Sequence, residues 1–229
     1  MYKIIEIFDS IEGEGRRQGL PATFIRLAGC NLRCSWCDTP HSHTNAVFNN
    51  MTATEILAKV NKNLKRVTIT GGEPLEHDLK GLVNLLLDNG FEVNIETNGS
   101  KSIHGLPMHE RLFFSIDYKL VSSGMSDKMY KHNFVGCHPS NVIKFVVASN
   151  KDILQMQEIV QLLIDTSFKK KEKLLECFVE NPFPIPHLYA CATSDFDAKK
   201  LVDAVVNSPI LQSGNVKVYT QLHKNLGVR

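Results

Sequence analysis

Three cysteines lie within eight residues, at Cys30, Cys34 and Cys37. Iron–sulfur clusters are commonly held by four thiolates. Three thiolates from one short loop would leave one iron free to bind a ligand that is not protein. The spacing therefore predicts a cluster with one open coordination position, and an open position indicates chemistry.

Two other uses of these cysteines have to be weighed. A structural zinc site would need His41 or His43 as its fourth ligand, and all four ligands would then come from one short loop. A disulfide is less favoured, because the chain begins at Met1 without an apolar leader, which indicates a reducing cytoplasm. We expect buried or incidental thiols at the isolated cysteines, Cys137, Cys177 and Cys191.

Composition bounds the class of protein. With 229 residues, 43% hydrophobic and 22% charged, we expect one domain spanning residues 1–229 with an ordinary buried core. No apolar run is long enough to cross a membrane. The net charge of +2 does not favour nucleic-acid binding, and we interpret the basic run Lys169–Lys173 and the pair Arg16 and Arg17 as solvated loops.

Apolar runs alternate with amphipathic stretches of helical length, which predicts an α/β fold with a parallel sheet. The predicted strands are Lys3–Phe8, Thr23–Ala28, Arg66–Thr70, Glu92–Glu96, Leu112–Ile116, Val142–Val147, Leu174–Val179 and Val216–Tyr219. The predicted helices are Thr52–Asn61, Leu75–Asp88, Lys151–Leu163 and Asp195–Asn207. The first helix has a capping box, with Thr52 at its start and Glu55 three residues on.

Three motifs follow predicted strands directly. The cysteine loop follows Ala28, Gly71-Gly72-Glu73-Pro74 follows Thr70, and Thr97-Asn98-Gly99 follows Glu96. Ligands of α/β proteins collect at the carboxyl ends of parallel strands. The three motifs are therefore expected to face one site.

The cysteine loop after one strand and the Gly-Gly-Glu-Pro turn after the next resemble the radical S-adenosylmethionine superfamily. The resemblance implies a partial (β/α) barrel, because 229 residues are few for eight full units. It also implies that the three cysteines hold a 4Fe–4S cluster. The fourth iron would chelate S-adenosylmethionine, which fills the open position.

A narrower resemblance runs through both ends of the chain. Segments 6–15, 21–30 and 37–39 and the closing Gln221-Leu-His-Lys224 are similar to the 7-carboxy-7-deazaguanine synthase family of queuosine (7-deazapurine) biosynthesis. The resemblance implies a lyase that contracts the ring of 6-carboxy-5,6,7,8-tetrahydropterin with loss of ammonia. It further implies a homodimer, Mg2+ as a second metal, and an electron donor such as a flavodoxin-type reductant.

The resemblance assigns roles to individual residues. Thr39 would give Mg2+ a hydroxyl ligand. The pterin substrate would be contacted by Ile11, Glu12, Gly13, Arg26, Thr70 and His223. The candidates for S-adenosylmethionine contact are Trp36, Cys37, Asp38, Gly71, Gly72, Glu73, Asn98, Asp117, Tyr118 and Lys119.

The chain departs from the family pattern at Glu12, where many relatives have glutamine, and only the amide also donates a hydrogen bond at neutral pH. Segment Phe178–Pro182, which corresponds to another cofactor-contacting strand end, matches poorly. Two alternatives stay open: a glycyl-radical activating enzyme that acts on a protein, and a zinc- or cluster-binding interaction module without enzymatic activity.

Overall fold

The computed structural model describes residues 1–43, 45–134, 137–174 and 185–228. Its strands are β1 (Tyr2–Ile11), β2 (Pro21–Leu27), β3 (Asn49–Met51), β4 (Arg66–Gly71), β5 (Glu92–Thr97), β6 (Leu112–Tyr118), β7 (Val142–Val147), β8 (His187–Ala192) and β9 (Lys217–Val218). Its α-helices are α1 (Ala53–Lys59), α2 (Lys80–Asp88), α3 (Asn150–Leu174), α4 (Ala198–Asn207), α5 (Pro209–Ser213) and α6 (Leu222–Leu226). None of these helices is both long enough and apolar enough to cross a membrane.

All nine strands form one sheet in the order β3-β1-β2-β4-β5-β6-β7-β8-β9. Strand β1 pairs antiparallel with β2 and β3, whereas every pairing from β2–β4 through β8–β9 is parallel. No pairing joins β3 to β9 within the described residues, so the sheet is open, and the predicted partial α/β barrel is confirmed. Strands β2, β4 and β5 are adjacent, which brings the three motifs to one edge.

Alternation along the parallel strands separates two faces of the sheet. One face is apolar: Ile25, Ile69 and Ile95 are fully buried in the main core, which also includes helical residues such as Leu82 and Met156. The other face, called the polar face, carries most of the polar side chains of the parallel strands. Examples in register across the sheet are Arg26 with Thr70 and Asp117 with Lys144. A smaller apolar cluster that includes Phe113 and Val142 lies on the same face.

Helix α1 forms as predicted from its capping box. The Thr52 hydroxyl accepts the Glu55 N–H at 3.2 Å, while the Glu55 carboxylate accepts the Thr52 N–H at 2.7 Å. These two bonds satisfy backbone donors that the first helical turn leaves without partners. The helix then buries Ile56 in the core beside the sheet.

Two predicted helices begin later than expected. The predicted helix Leu75–Asp88 is instead a 3-10 turn, Pro74–Glu76, followed by α2 from Lys80. The Asp78 carboxylate accepts the Lys80 N–H at 3.2 Å, a local bond that competes with helix formation at that point. Helix α4 starts at Ala198 rather than Asp195, because Asp197 caps it by accepting the Lys199 N–H.

The prediction was wrong around the end of α3. The basic run Lys169–Lys173 is helical rather than a loop, because lysine and glutamate are good helix formers and α3 continues to Leu174. Leu174 therefore ends a helix instead of starting a strand, and positions 175–179 of that predicted strand lie outside the described residues, as does segment Phe178–Pro182. Strand β8 was not predicted, and the predicted strand Val216–Tyr219 shortens to β9.

Candidate active site

The three cysteines lie in the irregular loop after β2, and all three are half-buried. Two N–H groups approach Cys30 Sγ, the backbone amide of Leu32 at 3.5 Å and the side-chain amide of Asn98 at 3.7 Å. Such groups tune the reduction potential of a thiolate-bound cluster. Burial raises the pKa of the Cys30 and Cys34 thiols, so binding of a metal cluster would release protons.

The cysteine loop does not close around a single metal ion. In the part of the chain that the structure describes, no three His, Cys, Asp or Glu side chains gather closely enough to hold one ion. His43 does approach Cys37, with Nε2 at 3.4 Å from Sγ. A tetrahedral zinc site needs four ligands within about 2.0–2.3 Å of the ion. The zinc alternative therefore has no preformed ligand set here.

The turn after β4 lies directly against the cysteine loop. The Gly72 N–H donates to the Leu27 carbonyl at 3.1 Å, and the Glu73 N–H donates to the Gly29 carbonyl at 2.7 Å. A Cβ atom on Gly71 would lie 2.1 Å from the Leu27 carbonyl oxygen, and one on Gly72 would lie 2.0 Å from that of Gly29. Only glycine permits this approach. The two predicted motifs thus form one backbone cradle.

Glu73 holds this cradle to the end of β5. Its fully buried carboxylate accepts three hydrogen bonds, from the Leu75 N–H at 2.9 Å, the Thr97 hydroxyl at 2.8 Å and the Asn98 N–H at 2.7 Å. Burial raises the pKa of Glu73 to about 6 despite these donors. Its side chain therefore ties the turn after β4 to the end of β5, while its backbone N–H ties the same turn to Gly29 after β2.

A buried cluster of charges on the polar face was not predicted from the sequence. Lys144 Nζ lies 2.6 Å from Glu14 Oε2, 3.2 Å from Asp117 Oδ1 and 3.9 Å from Glu96 Oε1. Burial would raise the pKa of Glu14, but Lys144 holds it below its usual range, whereas burial keeps that of Glu96 raised. One indication of it was present in the sequence: side chains alternate between the two faces of a strand, so a polar residue such as Lys144 in the apolar strand β7 points away from the apolar core.

Asp117 and Lys119 lie together on this face, with Lys119 Nζ 2.9 Å from Asp117 Oδ2. Burial would raise the pKa of Asp117, but the two lysines lower it to about 2, so it is ionised. Its Oδ1 is buried and, although 3.2 Å from Lys144 Nζ, accepts no aligned hydrogen bond. Tyr118 points the other way, into the helix-covered core, where its ring meets Phe134 edge-on at 4.8 Å.

Glu12 is 1% exposed and lies beneath the polar face. It accepts a short hydrogen bond from the Thr68 hydroxyl, and its Oε1 lies 3.7 Å from Arg17 Nη1. Burial, together with the charge of Glu96, raises the pKa of Glu12 to about 7. Arg17 is itself buried at 6% exposure and stacks on Phe113, so the predicted solvated loop is wrong for this residue, whereas Arg16 is exposed.

The C-terminal segment closes over the first loop. The Leu222 N–H donates to the Gly13 carbonyl at 3.0 Å, and the His223 ring occupies the space where a side chain on Gly13 would be. Lys224 Nζ reaches the cysteine loop, 3.1 Å from Asp38 Oδ2. Gly13 and His223, from the two ends of the chain, are thus in contact, and their role in substrate binding stays a prediction.

The remaining candidates lie at both ends of the strands: Ile11 pairs with Pro21 at the start of β2, whereas Arg26 and Thr70 are near the ends of β2 and β4. Arg26 Nε donates to Glu6 Oε1 at 2.8 Å, and the Arg26 side chain is 16% exposed. The Thr70 hydroxyl donates to Glu96 Oε2 at 2.9 Å. Ile11 ends β1 and is half-buried, as is Trp36 in the cysteine loop. Thr39 precedes the turn Pro40–Ser42, with its hydroxyl 3.8 Å from Cys37 Sγ.

These residues fit an iron–sulfur cluster and a ligand with both an ammonium and a carboxylate. Three thiols share one loop, a glycine backbone lies beside them, and the buried carboxylate of Asp117 is nearby on the polar face, paired with Lys119 and Lys144. A sequence model described as the Radical SAM superfamily matches residues 24–107. Fold and site therefore define a radical S-adenosylmethionine protein, and this superfamily implies a 4Fe–4S cluster and S-adenosylmethionine.

Similar proteins narrow the class. The chain is 44% identical over 164 residues to the 7-carboxy-7-deazaguanine synthase of Clostridium acetobutylicum, covering 69% of this chain and 74% of the relative. It is 32% identical over 224 residues to the 7-carboxy-7-deazaguanine synthase of Thermoplasma acidophilum, and the match covers 96% of this chain and 95% of the relative. The chain belongs to the 7-carboxy-7-deazaguanine synthase family. The crystal structure of QueE from Escherichia coli shares its fold, with TM-score 0.68, 24% identity and coverage of 97% and 94%.

Proposed function

We propose that this chain contracts the ring of 6-carboxy-5,6,7,8-tetrahydropterin to give 7-carboxy-7-deazaguanine with loss of ammonia, a step of queuosine biosynthesis. The observation that carries the proposal is the close packing of the Gly71-Gly72 turn against the start of the cysteine loop at Gly29 and Cys30. Family membership disfavours the alternatives of a glycyl-radical activating enzyme and of an interaction module without enzymatic activity.

The cluster and cofactor would be held by residues that the fold already gathers. Cys30, Cys34 and Cys37 would bind the cluster, and the Gly71-Gly72 backbone and Asp117 would receive S-adenosylmethionine. When bound, these groups supply a 5′-deoxyadenosyl radical. The rest of the pocket then has to orient the pterin and exclude water.

Arg26 is suited to the carboxylate of the substrate. A guanidinium binds a carboxylate through paired N–H groups. Its Nε donates to Glu6, and this contact fixes the orientation of the guanidinium. Loss of the fork would therefore weaken substrate binding more than it would affect the cluster.

Glu12 can serve the pterin edge as a neutral acid. Because its pKa is raised to about 7, roughly half of the molecules carry a protonated carboxyl at neutral pH. A protonated carboxyl donates one hydrogen bond and accepts another, as a glutamine side chain does. The departure from the family pattern at this position is then chemically conservative. Ile11 and Gly13 would line the same edge, and His223 would close it.

We further propose that Thr39 supplies a hydroxyl ligand to Mg2+, because Mg2+ prefers oxygen and completes its shell with substrate and water. Thr39 follows the cysteine loop, with its hydroxyl 3.8 Å from Cys37 Sγ, so it would hold such an ion beside that loop. A flavodoxin-type reductant as electron donor, a homodimer and a cytoplasmic location also belong to the proposal. Their support is the family resemblance and, for the location, three thiols that need a reducing compartment.

The test is anaerobic turnover of the reconstituted protein with the carboxytetrahydropterin, S-adenosylmethionine and a chemical reductant, followed by mass analysis. Formation of 7-carboxy-7-deazaguanine, stimulated by Mg2+, is the expected result. Arg26→Lys should raise KM with its iron content unchanged, because lysine keeps the charge but loses the fork. Wild-type protein with an intact cluster that forms no deazaguanine would refute the proposal.

A further inference from the structure

Lys144 is the one charged side chain of β7, whose sequence is Val-Ile-Lys-Phe-Val-Val. Its side chain is only 6% exposed, on the polar face of the sheet. A buried ammonium is costly unless it is paired and hydrogen-bonded. Burial of Lys144 therefore requires carboxylates close to its ammonium group, and three of them lie within 4 Å.

The partners of Lys144 come from separate parts of the chain. Glu14, at 2.6 Å, belongs to the loop after β1, and Asp117, at 3.2 Å, belongs to the end of β6. Glu96, at 3.9 Å, lies in β5. An ammonium has three N–H groups, so one side chain is able to connect three segments that are distant in sequence.

Glu14 and Asp117 each contact a further, different segment of the chain. Glu14 accepts the Tyr219 hydroxyl at 3.2 Å and the Gln221 amide at 2.5 Å, and so anchors the C-terminal segment that carries His223. Asp117 binds Lys119 through its other oxygen. Lys144 thus lies between the segment that covers the pterin side and the turn that faces the cofactor side.

We propose that Lys144 is a positioning residue: it holds Glu14 and Asp117 in place at the boundary between the substrate and cofactor pockets, and so aligns the two. This inference rests on the proposed function and assigns it a residue that no motif contains. Lys144 does not exchange protons in this role. Burial alone would lower its pKa, but Asp117, Glu14 and Glu96 raise it well above the usual range, so it stays charged.

The experiment compares Lys144→Met with Lys200→Met, a matched control on the exposed surface of α4. Hydrogen exchange of the metal-free protein reports both neighbouring segments without turnover. We expect exchange in Lys144→Met to increase by about tenfold or more in residues 112–120 and 217–228, because both lose the same anchor. Lys200→Met should match wild type. Unchanged exchange in either segment would overturn the proposal.

A second measurement, the ratio of S-adenosylmethionine cleavage to product formation, tests whether Lys144 aligns the substrate and cofactor pockets or only stabilises the fold. In the reconstituted protein we expect Lys144→Met to cleave S-adenosylmethionine without forming product, with the ratio of cleavage to product raised by about tenfold or more. Lys144→Arg, which keeps the charge, should restore much of the coupling. A wild-type ratio in folded, iron-loaded Lys144→Met would overturn the proposal.

Removal of Lys144 leaves two buried carboxylates without their partner, so the single variant risks misfolding. In that case Glu14→Gln/Lys144→Met is compared with Glu14→Gln, because the double variant restores the charge balance. The double variant should fold, and residues 112–120 should exchange faster in it than in Glu14→Gln. Equal exchange rates in the two variants over these residues would contradict the inference. Failure of the proposed function is distinguishable from failure of this inference. If the proposed function is wrong, wild-type protein itself forms no product, and this result does not depend on the hydrogen-exchange rates of the variants.

Discussion

Gly13 and His223 are packed so closely that a Cβ atom on Gly13 would lie 1.8 Å from Nδ1 of the imidazole. The contact joins the loop after β1 to helix α6, which are more than two hundred residues apart in sequence. It is supported by the bond from the Leu222 N–H to the Gly13 carbonyl. The C-terminal segment is therefore packed against the first loop, and the absence of a side chain at Gly13 sets how closely it can approach.

Gly13→Ala should displace His223 and α6 from the pocket. We expect the rate of product formation to fall by about tenfold or more while the iron content is unchanged, because the Gly71-Gly72 turn still packs against the cysteine loop when α6 is displaced. Gly105→Ala is the matched control, since a Cβ atom there meets nothing within 4 Å. Equal rates in the two variants would show that the contact does not shape the site.

Glu12→Gln should change how stability depends on pH. The pKa of Glu12 is raised from 4.5 to about 7 in the folded state, so the folded chain retains this proton when the unfolded chain has lost it. The contribution of this proton to the free energy of unfolding is therefore fully present below about pH 4.5. It is lost as the pH rises through 7, and the total loss is about 3 kcal/mol. The glutamine variant lacks this loss.

Urea unfolding of the metal-free protein at several pH values measures the effect. Relative to wild type, Glu12→Gln should gain about 3 kcal/mol in the free energy of unfolding between pH 4.5 and pH 8. The amide oxygen still accepts the Thr68 hydroxyl, so that contact is preserved in the variant. Parallel curves for the two proteins would mean that the pKa of Glu12 is the same in the folded and unfolded states.

Gly72→Ala should disturb the cysteine loop. A methyl group there would lie 2.0 Å from the Gly29 carbonyl oxygen and 2.9 Å from Cys30 Cβ, so the loop has to move. We expect most of the bound iron to be lost. Gly81→Ala is the control: its methyl group has room in α2 and should stabilise that helix by about 0.5–1 kcal/mol. Full iron content in Gly72→Ala would contradict the close packing of the two motifs.

The three strand-end motifs could be predicted because each places a chemistry-bearing residue and a glycine turn after an apolar run, as in Thr70 and Gly71. The partners of Lys144 could not, because a single lysine in β7 gives no indication that carboxylates from the first loop and from β6 will meet it. The end of α3 was misjudged for another reason: a run of lysines reads equally well as a loop or as an exposed helix, and helix propensity decided it.

Cys34→Ala should abolish cluster assembly, whereas Cys191→Ala should not. Cys34 lies in the half-buried loop with Cys30 and Cys37, while Cys191 is buried in β8 among Phe113, Tyr189 and Tyr219. Iron and sulfide analysis after anaerobic reconstitution, with the visible absorption spectrum, measures the difference. Equal iron loss in both variants would indicate a second cluster that includes Cys191.

The central claim is that the pocket beside the cysteine loop carries out the family's ring contraction. Its most direct test is the mass spectrum of the product after anaerobic turnover of wild-type protein with 6-carboxy-5,6,7,8-tetrahydropterin, with Cys34→Ala as the cluster-free control. The account predicts 7-carboxy-7-deazaguanine and released ammonia from wild type and neither from the control. Cleavage of S-adenosylmethionine by an intact cluster without any deazaguanine would contradict it.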